Sequence, residues 1–253
     1  MTEATNTAVQ IEPANQPATQ CWSCGDMRAA HFCEGCGKVQ PPSPVDYFAY
    51  FGLARKLNVN IAKLEKDFYE LSRKLHPDLN ARANQKEQEW SLEQSSRLND
   101  AYRTLKDPIR RTQYLLQLEG VELEEQSKHA TEQARAAGEV KKQIVPPDLL
   151  EEVFELNMQL EELRAQKKLG ADDPALLEEI GKQKMDLEQK HQALLIELQG
   201  HWNAWDELIA RQQAGAEGAQ PERKHELHLM VDVLNRRNYI RNLVRDVGEA
   251  LGE

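Results

Sequence analysis

The chain has 253 residues, 40% of them hydrophobic, and carries 42 acidic against 32 basic side chains for a net charge of −10. That length holds one or two ordinary domains, and the acidic balance argues against nucleic-acid binding, which draws on a basic surface. No apolar run approaches the ~20 residues that a bilayer-spanning helix needs, so no membrane partner is expected. Residues 1–20 are polar, include Glu3 and Glu12 but no lysine or arginine, and lack a hydrophobic segment. They read as the disordered tail of a cytoplasmic protein.

All four cysteines lie within residues 21–37, as Cys21-x-x-Cys24 and then Cys33-x-x-Cys36, with Gly25 and Gly37 closing the two pairs. Two such knuckles turn four thiolates toward one ion, and a segment this small has too little core to fold without it. The expectation is a structural zinc held by Cys21, Cys24, Cys33 and Cys36. His31 is left out of the ligand set, because four thiolates already complete a tetrahedron. Three alternatives stand beside zinc. Paired disulfides suit secreted chains, an exchanging thiol pair needs a strand–helix context that is absent here, and an iron–sulfur cluster is not separated from zinc by spacing alone. Lys38 to Pro44 follows as a proline-rich connector.

Between Ile61 and Leu75, the side chains of Leu64, Phe68, Leu71 and Leu75 share one stripe at helical spacing. Lys63, Lys66, Arg73 and Lys74 fall on nearly the opposite face. A helix of this kind buries one side and shows positive charge to a partner. Pro77 stops it, because the ring disfavours a helical backbone at His76, and Asp78 caps the next helix or reaches outward. Leu98, Ala101, Tyr102 and Leu105 make the apolar face of a second long helix, packed antiparallel to the first. With Asp46-Tyr47-Phe48, Phe51-Gly52-Leu53 and His76-Pro77-Asp78, the stretch from Asp46 to Glu119 resembles a J-domain, the module that docks on DnaK-type chaperones and triggers their ATP hydrolysis. The resemblance implies that His76, Pro77 and Asp78 contact the chaperone, helped by the basic face. Read without it, the same residues are a helix stop, an N-cap and solvated lysines.

Asp107-Pro108 opens a helix carrying Tyr114, Leu115 and Leu118, which Gly120 ends. Residues 122–143 are polar and read as a linker or an exposed helix. Pro146-Pro147-Asp148, Asp173-Pro174 and Pro221 open three more helices. Their seams are Leu149, Val153, Leu156, Leu160 and Leu163; then Leu177, Ile180, Leu187, Leu194 and Leu198; then Met230, Val233, Ile240, Val244, Val247 and Leu251. Three helices with one seam each make an antiparallel bundle over residues 146–253. Trp202, Trp205 and Ile209 keep helical spacing, so the middle helix extends toward a break near Gly215. The expected fold is mainly α: a helical J-domain over 46–119 and a C-terminal three-helix bundle, preceded by a small four-cysteine zinc segment over 21–37.

Leu150, Phe154 and Met158 follow one another at i+4, rotated about 120° from the first bundle seam, with Glu151, Glu155 and Glu162 beside them. Tyr239 is rotated off its own seam in the same way. An apolar patch among acids is a protein-binding site or a widening of the core. The order of J-like segment, linker and bundle is similar to the HscB family of co-chaperones of iron–sulfur cluster transfer. The likeness rests on Asp46-Tyr47-Phe48, Leu98-Asn99-Asp100-Ala101-Tyr102, Arg111-Thr112-Gln113-Tyr114-Leu115-Leu116 and Glu152 through Leu163. It implies a non-enzymatic adaptor with two protein partners. A DnaK/HscA-type chaperone would dock on the J-like segment, and an IscU-type scaffold on Leu150, Phe154, Glu155, Met158, Glu162 and Tyr239. Met158 departs from the acidic residue common there, and the stretch from Gly200 to Gln220 is longer than the family's usual connection. A zinc-binding leader is similar to the eukaryotic branch of that family. The rivals are a general J-domain chaperone for unfolded clients and a zinc or thiol enzyme, which a closed four-thiolate site disfavours.

Overall fold

The computed structural model describes residues 20–27, 30–121, 145–169, 173–214 and 220–252. The expected tail up to Thr19, the polar stretch 122–143 and the break near Gly215 lie outside the described residues. The fold is mainly α. Among the described residues the only extended pairing is an isolated antiparallel bridge between Phe32 and Val39. The chain divides into two compact units, 1–114 and 115–253, with the boundary inside a helix.

In the first unit a short helix α1 (Tyr47–Tyr50) precedes α2 (Ile61–Leu75) and α3 (Gln85–Lys106). Asn60 and Asn84 cap α2 and α3 by accepting from the third backbone N–H of each, satisfying donors that would otherwise be orphaned. Val39, Tyr50, Leu75, Leu98 and Ala101 form the centre of the core, with Phe68, Leu71 and Trp90 packed around it. Tyr102 stacks on Phe68 at 4.1 Å between ring centres and donates to Glu65 at 3.0 Å. α4 (Pro108–Leu118) starts after Asp107, which accepts from the N–H of Arg110 at 2.8 Å.

Two features of this unit depart from the sequence reading. The connector is not a passive spacer: Val39 and Gln40 are each only 2% exposed, and Val39 belongs to the core of the first unit. The buried face of α3 also continues toward its N-terminus as polar residues, Glu87, Ser91 and Gln94, at the same helical spacing as Leu98, Ala101 and Leu105.

The second unit is built on α5 (Leu150–Leu169), α6 (Pro174–Gln213) and α7 (Gln220–Leu251). At 40 residues α6 is about 60 Å long. It runs antiparallel to α7, as the pairs Arg211–Glu222 and Arg236–Glu197 record, both at 2.5 Å. α5 lies against both, through Lys190–Glu152 at 2.7 Å and Lys167 donating to the Ala250 carbonyl at 2.6 Å. The first seam is buried throughout, from Leu149 to Leu163. In the other two the register shifts by one residue at single positions, because Leu176 rather than Leu177 and Leu243 rather than Val244 point inward. α6 does extend past Gly200, and it buries Trp202, Trp205, Leu208 and Ile209. The Arg223 guanidinium lies 5.1 Å from the Trp205 ring and pairs with Glu119 at 2.7 Å.

Candidate functional site

The four cysteines converge. Their Sγ atoms all lie within 4.8 Å of one another, with Cys21–Cys36 at 3.7 Å and Cys24–Cys33 at 3.6 Å. A tetrahedral ion with metal–sulfur bonds near 2.3 Å requires sulfur–sulfur edges of about 3.8 Å, so the cage fits a four-thiolate metal. All four are free cysteines, far outside the ~2.05 Å of a disulfide. Gly25 and Gly37 take φ of +77° and +71°, which glycine adopts without penalty. Each then donates its N–H to the first cysteine carbonyl of its pair, at 3.0 and 2.8 Å. The thiols titrate together as one cluster: against the opposing effect of burial, N–H groups of Cys24 and Ser23 lower Cys21, whereas the neighbouring thiols of Cys33 and Cys36 raise Cys24.

His31 takes no part in this cage. Its Nε2 lies 2.8 Å from the Tyr50 carbonyl, to which it can only donate, and its ring stacks on Tyr50 at 3.9 Å. Burial lowers its pKa, so it sits as neutral imidazole.

At the end of α2 the carbonyl of Leu75 would be orphaned, and two hydroxyls from α3 satisfy it, Ser91 and Ser95, each at 2.7 Å. The chain then turns extended at His76 and enters a single 3₁₀ turn, Pro77–Asn80. His76 Nδ1 accepts from the N–H of Asp78 at 3.2 Å, and Asn80 donates to the His76 carbonyl at 3.2 Å. Histidine therefore caps this turn, and the Asp78 side chain, 89% exposed, reaches outward. Lys63, Lys66, Arg73 and Lys74 are all exposed along α2. Lys66 approaches Glu70 at 4.0 Å, and Lys74 lies 4.2 Å over the ring of Phe32 in the cysteine segment.

On α5 the extra stripe is open: Leu150, Phe154 and Met158 are 57%, 65% and 60% exposed. Glu151, Glu155 and Glu162 beside them are exposed as well. The stripe does not widen the bundle core. Tyr239 belongs elsewhere, since only 8% of it is exposed. Its helix faces two neighbours and so buries a wide arc, and Tyr239 lies one turn before the inward Leu243 on that arc. Burial raises its phenol pKa. Tyr239, grouped with this stripe by the family resemblance, thus lies on another helix and is largely covered within its own unit.

Residues 46–114 match the family model for the DnaJ domain. The iron-sulfur cluster co-chaperone protein HscB of Mus musculus is 40% identical over 114 residues, covering 43% of this chain and 49% of the relative. The Arabidopsis thaliana homologue is 34% identical over 164 residues, covering 64% of this chain and 56% of the relative. These matches span about half the length of the curated relatives. Among solved structures, the chaperone HscB from Vibrio cholerae superposes with a TM-score of 0.51 at 25% identity, covering 81% of this chain and 96% of that one. The chain carries a J-domain over residues 46–114 and is similar to HscB proteins. The crystal structure of the human co-chaperone protein HscB shares the fold, with a TM-score of 0.56 at 24% identity over 91% of this chain and 97% of that one.

Beside that HscB likeness, the site contains residues that spacing could not single out. Ser91, Ser95 and Asn80 hold the His76 turn, and Asn80 also donates to Ser91 at 3.2 Å. Gln94 connects the Tyr50 hydroxyl, which donates to it at 2.9 Å, to the carbonyl of Gln40. The one available signal was the heptad continuation of the α3 stripe through polar residues. No helix among the described residues is long and apolar enough to cross a membrane.

Proposed function

We propose that the chain is a co-chaperone that holds an IscU-type iron–sulfur scaffold on its bundle while its J-domain stimulates the ATPase of a DnaK/HscA-type chaperone. The outcome is cluster transfer to acceptor proteins. One observation carries the reading: a single chain pairs a J-domain whose His76-Pro77-Asp78 turn is open to solvent with a bundle helix that leaves Leu150, Phe154 and Met158 uncovered. Tethering both surfaces raises the effective concentration of the scaffold at the ATPase, without any contact between the two partners being needed first.

In this reading His76, Pro77 and Asp78 touch the chaperone, and Lys63, Lys66, Arg73 and Lys74 steer it. Leu150, Phe154, Glu155, Met158 and Glu162 receive the scaffold, and Tyr239 supports the bundle from inside. The metal is zinc, held by Cys21, Cys24, Cys33 and Cys36 in a closed tetrahedron with a structural role and no catalytic one.

Calorimetric titration with folded scaffold tests the assignment. Saturable binding is expected, weakened at least roughly tenfold by Phe154→Ala, a loss of ~1.4 kcal/mol. His76→Gln should keep that binding and its helicity while abolishing ATPase stimulation. Binding confined to denatured clients would sink the reading and leave a general J-domain chaperone.

A further inference from the structure

The cysteine segment is wired into the J-domain at several points, all within the first unit. Phe32 pairs with Val39 across the bridge, next to the fully buried Cys33. Val39 sits in one cluster with Leu75, the residue before His76. Gln40 donates to Cys21 Sγ at 3.4 Å, and its own carbonyl accepts from Gln94 of α3 at 3.4 Å. Lys38 pairs with Glu87 at 2.8 Å, where the carboxylate is 2% exposed. Trp22 meets Trp90 edge to face at 5.7 Å. Lys74, two residues before His76, lies over Phe32.

We propose that the four-cysteine segment is a positioning element for the His76 turn, so that metal occupancy at the cysteines sets the order of the end of α2. Physically, a segment with almost no core folds only when its ligands are gathered. Val39, Gln40 and Phe32 then hold their J-domain contacts only in the gathered state. Loss of those contacts removes packing from Leu75, and the carbonyl that Ser91 and Ser95 clamp belongs to that same residue. Coupling of this kind is reciprocal: whatever the metal does for the J-domain helices, those helices do for metal affinity.

The full chain is loaded with zinc, and amide exchange is compared before and after chelation. Exchange in residues 71–80 and 85–98 should accelerate roughly tenfold on zinc removal, while α6 and α7 stay unchanged. Zinc affinity is then measured by competition with a chromophoric chelator. Gln94→Ala, remote in sequence from every cysteine, should weaken zinc about fivefold, the ratio that a hydrogen bond of ordinary strength gives. Leu57→Ala, equally buried but outside the cluster that holds Val39, should leave zinc affinity unchanged. Acceleration confined to residues 20–40, or equal zinc affinity in all three proteins, would overturn the proposal and make the segment an independent appendage.

Discussion

Single residues differ in how far their surroundings satisfy them, and Asn238 is the extreme case. It is 2% exposed in the bundle, and neither its Oδ1 nor its Nδ2 has a hydrogen-bond partner among the described residues. Removing an amide from water without replacing its bonds costs on the order of 1–3 kcal/mol. An apolar residue of similar volume at the same place carries no such cost, and buried polar groups are often replaced with a net gain. Asn238→Leu is therefore expected to stabilise the second unit by about 1–2 kcal/mol, measured as a higher urea midpoint with an unchanged slope. A lower midpoint would show that the amide is satisfied in solution after all. A polar group retained at such a cost has its best-attested role in fixing register.

At the scale of elements, the end of α2 depends on α3 more than on its own sequence. Ser91 and Ser95 both donate to the Leu75 carbonyl, and Ser91 is fully buried. Replacing both with alanine leaves that carbonyl without a partner in a closed core, a loss of about 2 kcal/mol. The expected result is a lower melting temperature for the first unit and faster amide exchange across His76–Asn80, with the bundle unaffected. An unchanged exchange rate in the turn would remove the clamp from the account. Helix positions and most seam residues were legible from spacing, because the 3.6-residue period places them without reference to neighbours. The misplaced Leu177 and Val244 lie where i+3 and i+4 both satisfy a heptad, and only the partner helix decides between them. Val39 was unreadable for another reason. A single apolar residue before a run of prolines has no period, and its burial follows from the docking of the cysteine knuckles. The burial of Tyr239, off its helix's seam, was not legible because a helix that faces two neighbours buries more than one stripe.

For the whole molecule, the proposed partners would be held by different forces, and salt separates them. Along α2 the cations Lys63, Lys66 and Arg73 stand in solvent on one face, where attraction reaches only as far as the Debye length, ~10 Å at 0.1 M salt and ~3 Å at 1 M. On α5 the open surface is Leu150, Phe154 and Met158, whose burial against a partner is apolar and is not screened by ions. Raising salt from about 0.05 to about 0.5 M is therefore expected to weaken the chaperone's apparent affinity for the J-domain at least tenfold. Scaffold affinity should change by less than about threefold over the same range. Both are measurable with one preparation, ATPase stimulation for the first and calorimetry for the second. If the two affinities fall in parallel, the acidic residues Glu155 and Glu162 carry scaffold binding in place of the ridge. Phe154→Ala would then be silent, whereas removing either carboxylate would not.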